Sequence, residues 1–222
     1  MTMSVRAQEQ WFKREVERRG ITQICHFTRL EALQSIKING LRSSKFLHRK
    51  NLPFAPNDTA RWDGLDDHIC CSIQYPNGKL LEKWREKTQS DEWVILFISP
   101  DVICGRTAAS VKYTATNAAF QSGSLIENGK DGFEKMFNTT VETKWKKLSR
   151  NSYLPEFCTT DLQAEVLLNK PVPWEEILTV VAIDEEVVQK VNQIDSNKKV
   201  LCDQLFFTES GVNKLRNQRF FT

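Results

Sequence analysis

Gln163-Ala164-Glu165-Val166-Leu167, running on into Leu168, is the stretch from which the rest of the chain is read. A carboxylate that opens a Val-Leu-Leu run is costly on a half-buried strand, because it must be paired or kept in water. Either Glu165 acts on something, or it faces solvent from an edge strand. The local pattern leaves both readings open. The second informative stretch lies far upstream, where Cys25-His26-Phe27-Thr28 reads as part of a first strand.

The chain has 222 residues, 40% of them hydrophobic and 27% charged, enough to bury a full core as a single domain over 1–222. Its six cysteines include no C-x-x-C pair. Cys70 and Cys71 are neighbours whose side chains would point to opposite faces of a strand, so the cysteines read as small buried hydrophobes in a reducing compartment. The first twenty residues carry charge throughout, and no apolar run of membrane-spanning length occurs. A cytoplasmic protein with no membrane partner, acting as a monomer, is expected.

Net charge is +3, too small an excess to imply nucleic acid by itself. Its distribution is more informative. Basic clusters occur at 42–50, at Lys83-Trp84-Arg85-Glu86-Lys87, and at Lys144-Trp145-Lys146-Lys147 running to Arg150. Two of these embed a tryptophan. Cations interleaved with aromatics suit a single strand, whose phosphates attract charge and whose unpaired bases stack on flat surfaces. Solvated helix faces anchored by a core Trp have the same pattern.

Apolar spacing predicts a helix over 4–19 ended by Gly20, a strand over 21–27, and a helix over 30–38 capped by Thr28 and closed by Asn39-Gly40. Residues 43–66 are polar and aperiodic, a functional loop by length. Strand 68–73 is followed by a turn at Tyr75-Pro76-Asn77-Gly78, a helix over 79–88 and a buried strand over 93–98. Small and polar residues fill 105–130, and a basic helix is expected from there to 150. Strands at 163–168, 177–183 and 200–207 follow, with a helix over 185–191 between the last two. Strands and helices mix without steady alternation, which predicts an α+β fold. Neither G-x-G-x-x-G nor a P-loop is present, and His26, His48 and His68 lack zinc-ligand spacing, so no metal is expected.

The ordered set of His26-Phe27-Thr28, then Leu33, Ile36 and Asn39-Gly40-Leu41, then Asn117-Ala118-Ala119, then 163–167 followed by Val172-Pro173 and Ile177, resembles the DarT family of DNA ADP-ribosyltransferases over residues 22–183. The resemblance implies the ADP-ribosyltransferase fold, a split β-sandwich with peripheral helices. It also implies NAD as ADP-ribose donor, a base in single-stranded DNA as acceptor, and a toxin neutralised by a DarG-like macrodomain antitoxin. His26 and Thr28 would then lie against the adenosine ribose and the nicotinamide amide; read alone, His26 is as readily a satisfied core histidine. The family's essential Arg falls between the first helix and the second strand, where Arg61 is the first choice and Arg49 the second. Arginine suits the two phosphates because it binds them bidentately.

The chemistry supports Glu165 independently. Cleaving the nicotinamide–ribose bond passes through an oxocarbenium-like transition state, which a carboxylate at the ribose 2-hydroxyl stabilises. The same group can accept the proton of the attacking base. Gln163, two residues earlier, would share its strand face and orient the base, or simply lie at the surface. The second strand departs from thymine-directed members: His68-Ile69-Cys70-Cys71-Ser72-Ile73-Gln74-Tyr75-Pro76-Asn77 is closer to the guanine-directed branch. Ser72 or Tyr75 would contact the nicotinamide. Lys144, Lys146, Lys147 and Arg150 would hold DNA phosphates, since the corresponding family segment shapes the DNA-facing surface. Two other readings remain compatible: a catalytically silent single-strand-binding module, and a transferase acting on RNA or protein.

Overall fold

The computed structural model describes residues 4–52, 63–105 and 110–217. Helix α1 (Val5–Arg19) starts at Ser4, whose hydroxyl accepts from the Ala7 amide, and stops where Gly20 turns left-handed at φ 69°. Strand β1 (Ile24–Arg29) leads through a tight turn at Leu30–Ala32 into α2 (Leu33–Asn39) and α3 (Ser44–Arg49). Then come β2 (Ile69–Ile73), α4 (Gly78–Thr88), β3 (Trp93–Ile98), α5 (Asp101–Cys104), β4 (Lys112–Thr114), β5 (Glu127–Asn128) and α6 (Gly129–Lys135). The chain closes with β6 (Thr140–Glu142), β7 (Lys147–Ser149), β8 (Glu165–Leu168), β9 (Ile177–Ala182), α7 (Glu185–Ile194), β10 (Val200–Cys202) and α8 (Glu209–Asn217). None of the described helices is long and apolar enough to cross a membrane.

Several local expectations change. Thr28 lies inside β1 and caps nothing. Within 43–66, Ser43 caps α3, its hydroxyl accepting from the Phe46 amide. Tyr75 to Gly78 is a helix entry and not a strand turn, because Asn77 Oδ1 accepts from the Leu80 amide at 3.1 Å and starts α4. The basic helix expected up to 150 ends at Lys135, and the lysines lie on the β6–β7 hairpin. Strand β10 stops at Cys202 and gives way to a 3₁₀ turn at Gln204–Phe207.

Among the described residues, eight strands form one sheet in the order β10-β9-β3-β1-β2-β8-β4-β5, parallel only between β10 and β9. The architecture is α+β with peripheral helices. Alternation along the strands divides the core into two layers. On one side Ile24, Cys71, Leu96, Val166 and Val180 pack against Phe12 and Val16 of α1, Leu33 and Ile36 of α2, Phe133 of α6 and Val191 of α7. On the other, Cys25, Ile95, Phe97 and Val181 pack against Leu81 of α4, Phe206 and Phe207 of the 3₁₀ turn, and Val212 of α8.

Tyr75 joins that second layer. Simple alternation would put it with Ile73 and Cys71, but Gln74 adopts φ 64° and turns the chain over. The Tyr75 ring stacks on Phe206 at 6.2 Å, and its hydroxyl donates to the Leu215 carbonyl.

The site is positioned by an incomplete pairing. Strand β1 pairs with β3 along its whole length, from Ile24↔Ile98 to Arg29↔Trp93. Its pairing with β2 ends after Ile24↔Ile73 and Cys25↔Ser72. Beyond this joint β2 pairs on its other edge with β8, as Cys71↔Val166, and the sheet splits between β1 and β2.

Helices α4 and α8 fit closely at Gly78, where an added Cβ would lie 2.6 Å from the Thr208 carbonyl oxygen and 2.9 Å from Val212 Cγ2. Gly78→Ala should therefore force the two apart at about 1–3 kcal/mol, lowering the thermal midpoint by roughly 2–12 °C. Gly105→Ala, whose Cβ meets nothing nearer than 3.7 Å, should leave the midpoint unchanged.

Candidate active site

His26 bridges the split. Its Nδ1 lies 2.8 Å from the Cys70 carbonyl oxygen across the gap that β1 opens from β2. A carbonyl only accepts, so Nδ1 carries the hydrogen and Nε2 is left as an acceptor. Burial pushes the His26 pKa below its ordinary value, against the opposing pull of the Cys70 bond. The ring is neutral at pH 7. Thr28, two residues on, shares its side of the pleat, whereas Cys25 and its partner Ser72 share the other.

Glu165 opens β8 one residue before Val166, and the Cys71↔Val166 register sets it level with Ser72 at the joint. It is only 8% exposed. Its Oε1 accepts from Asn117 Nδ2 at 3.1 Å and from the Ala118 amide at 3.0 Å. A second buried carboxylate, Asp161, bonds the residue just before these donors. Asp161 Oδ2 accepts from the Thr116 hydroxyl at 2.6 Å, and Asp161 Oδ1 accepts from the Gln163 amide at 3.0 Å. Asp161 thus ties the 116–118 turn to the turn that delivers Glu165. Cys71 stands close by as a neutral thiol, because burial, and secondarily the Glu165 charge, push its pKa up. A buried carboxylate oriented in this way is prepared to stabilise a developing cation.

The remaining residues singled out by the sequence are spread over the fold. Gln163 sits in the turn before β8 and not on the strand, so alternation does not govern its side chain. Ser72 is buried at the joint, and Tyr75 belongs to the core. Arg49 is exposed at the end of α3, with its guanidinium 6.0 Å from the Phe46 ring, and Arg61 lies outside the described residues. Lys144, Lys146 and Lys147 are exposed on the hairpin.

Arg150 separates from those lysines. Its Nη1 donates to the Cys158 carbonyl at 2.7 Å, its Nη2 donates to the Pro155 carbonyl at 2.7 Å, and longer bonds reach Thr160 and Leu154. It is a clamp on the loop leading to Asp161, and burial lowers its pKa. Thr116, Asn117, Ala118 and Asp161 were not singled out as site residues in the sequence. Asn117-Ala118 did stand in the family pattern, but nothing local marked Asp161 as its counterpart.

The family model described as "DarT: ssDNA thymidine ADP-ribosyltransferase, DarT" matches residues 25–207. Among solved structures, the chain is similar to Thermus sp. 2.9 DarT in complex with ADP-ribosylated ssDNA, at 15% identity and TM-score 0.59, over 85% of this chain and 97% of that one. The same protein in complex with NAD+ matches at 15% identity and TM-score 0.57, over 84% and 97%. Thermosipho africanus DarTG in complex with ADP-ribose matches at 14% identity and TM-score 0.59, over 84% of this chain; the chain spans about half the length of that one, 51%. At such identities the likeness is one of fold. No curated protein sequence matches.

The lowered pKa of His26 has a sign that can be tested. Above about pH 6.5 the ring is neutral folded or unfolded, and its burial carries no charge penalty. As pH falls below that value the unfolded chain takes up a proton that the native ring resists, so stability is lost down to the folded pKa. Chemical denaturation between pH 5 and 7.5 should show a shallower loss on acidification for His26→Gln than for the natural chain. Parallel profiles would contradict the assignment.

Proposed function

The chain belongs to the DarT family of single-stranded-DNA ADP-ribosyltransferases, and from that membership we propose that it transfers ADP-ribose from NAD to a base of single-stranded DNA, with Glu165 as the catalytic carboxylate. The observation that carries the reading is the Glu165 carboxylate itself, buried at the joint and held by Asn117 and Ala118. The neutral ring of His26 stands on β1, across the split from β2.

In the proposed reaction the bond between ribose C1′ and the nicotinamide nitrogen breaks, and its electron pair leaves with nicotinamide. Positive charge develops on the ribose, where Glu165 stabilises it through the 2′-hydroxyl. A base nitrogen then bonds to C1′ and gives its proton to the Glu165 carboxylate. Asn117 and Ala118 keep that carboxylate from turning, so little reorganisation is needed at the moment of reaction. His26 Nε2 would accept from a hydroxyl of the adenosine ribose. Thr28 and the open edge of β1 would hold the nicotinamide amide, with Ser72 beside the joint. The phosphates are assigned to Arg61 first and Arg49 second. Gln163 would orient the incoming base.

The acceptor base is proposed to be guanine, against the thymidine of the family's description, on the Ile69-Cys70-Cys71-Ser72-Ile73 strand. Single-strandedness follows from reach, since a stacked and paired base cannot approach a buried carboxylate. The exposed lysines of the β6–β7 hairpin would hold flanking phosphates. A role as the toxin of a pair silenced by a macrodomain antitoxin completes the reading, and a cytoplasmic setting fits it.

The decisive test is incubation with NAD and single-stranded oligonucleotides containing only dT or only dG acceptors, followed by mass analysis for added ADP-ribose. Adducts on dG alone are expected; adducts on dT alone would reassign the base, and adducts only on RNA or protein would overturn the DNA reading. Glu165→Ala should lower the transfer rate at least ~10²-fold, while NAD affinity measured by calorimetry largely survives. Equal losses of both would remove Glu165 from the chemical step.

Neutralising Lys144, Lys146 and Lys147 together should weaken oligonucleotide binding and flatten its salt dependence by about 0.7 in log–log slope for each phosphate no longer neutralised. Arg150 is left out of this set because its guanidinium is committed to backbone carbonyls. An unchanged slope would rule out the hairpin as the phosphate track.

A further inference from the structure

Trp145 is 77% exposed, the most exposed large hydrophobic side chain among the described residues. The contrast with Trp93 and Trp174 is sharp, since those are 0% and 8% exposed. Nothing in the fold requires an indole at the tip of a two-stranded hairpin, where it contributes almost no buried area. Yet its backbone is tightly held. The Thr143 hydroxyl accepts from the Trp145 and Lys146 amides at 3.3 and 3.2 Å and donates to the Lys146 carbonyl at 2.7 Å. The turn is thus preformed, and binding need not order it.

Its surroundings select the ligand. Lys144 Nζ lies 4.8 Å from the Trp145 ring centroid, and Lys146 and Lys147 are exposed beside it. An exposed indole with one lysine over its ring, and two more exposed lysines next in the chain, complements a nucleobase attached to a phosphate backbone. The hairpin is also coupled to the active site. Val141 is buried beneath it, the Arg150 amide donates to the Thr139 carbonyl, and the Arg150 guanidinium clamps 154–158. Thr160 bonds the carbonyls of Met136 and Asn138, one residue before Asp161.

We propose that Trp145 is a stacking platform for a second base of the single-stranded substrate, outside the base that reacts. The proposal rests on the single-stranded-DNA reading above and adds a defined footprint to it. Because the hairpin is fastened to the turn bearing Asp161 and Gln163, the stacked base lies at a fixed number of nucleotides from the acceptor. Stacking is indifferent to base identity, so this subsite selects for substrate length and single-strandedness.

The test is affinity for fluorescein-labelled single-stranded oligonucleotides, measured by anisotropy and independent of any transfer. Trp145→Ala should weaken binding roughly tenfold, within the range of one lost stacked base. Trp145→Phe should recover part of it. Unlike removal of the lysines, Trp145→Ala should leave the salt slope unchanged, because no charge is lost. An abasic site moved along the oligonucleotide supplies the second measurement. One flanking position should weaken binding to the natural chain yet have no further effect on Trp145→Ala. Affinity of Trp145→Ala equal to that of the natural chain, or an abasic effect at that position that persists undiminished in the variant, overturns the proposal. Binding without any transfer to DNA would instead count against the reaction proposed above and leave this platform standing.

Discussion

Two residue pairs, Ile24↔Ile73 and Cys25↔Ser72, hold the two halves of the sheet together, and the site depends on there being no more than two. Further pairing between β1 and β2 would close the split and consume the backbone groups of β1 on that edge. With the pairing stopped at Cys25, His26 takes over the contact through its side chain, bonding the Cys70 carbonyl that continued pairing, as Phe27↔Cys70, would otherwise satisfy. The cleft is therefore built by ending a ladder early. Strong pairing of β1 with β3 and of β2 with β8 keeps each half rigid while the seam stays open.

Glu165 shows the same economy of means on the other side of the joint. Burying a carboxylate without donors would be strongly unfavourable, and the molecule meets this with a backbone amide and an amide side chain from one turn. That turn is held in place by Asp161, itself buried and satisfied by Thr116 and the Gln163 amide. The two carboxylates form a nested arrangement in which the outer one orders the chain that orients the inner one. Such networks are valuable only when complete, since each member removed leaves another buried polar group without its partner.

Much of this was legible in the sequence for a definite reason. Continuous apolar runs, Trp93 to Ile98 and Val166 to Leu168, marked β3 and β8, and a charged residue at a strand start marked Glu165 as a candidate site residue. His26 was legible through its company in the family pattern more than through its chemistry. Asp161 was not, because its partner Thr116 lies 45 residues away along the chain and leaves no periodic trace. Tyr75 was misassigned to a strand face because a single left-handed residue, Gln74, is invisible to alternation. Arg150 was grouped with its neighbouring lysines because composition registers cations without revealing which are already bound to carbonyls. The segment after α6 failed for a related reason, since polar residues with no apolar period suit a hairpin as well as a helix.

The outermost strands of the large sheet carry a consequence of their own. At one end β10 has three residues and at the other β5 has two. Edges that short offer few free ladder positions among the described residues, so a visiting peptide strand gains little by extending the sheet, and self-association into ribbons is discouraged. A macromolecular partner that seeks this protein must instead approach through side chains. The hairpin, with its exposed indole and lysines, is one surface of that kind.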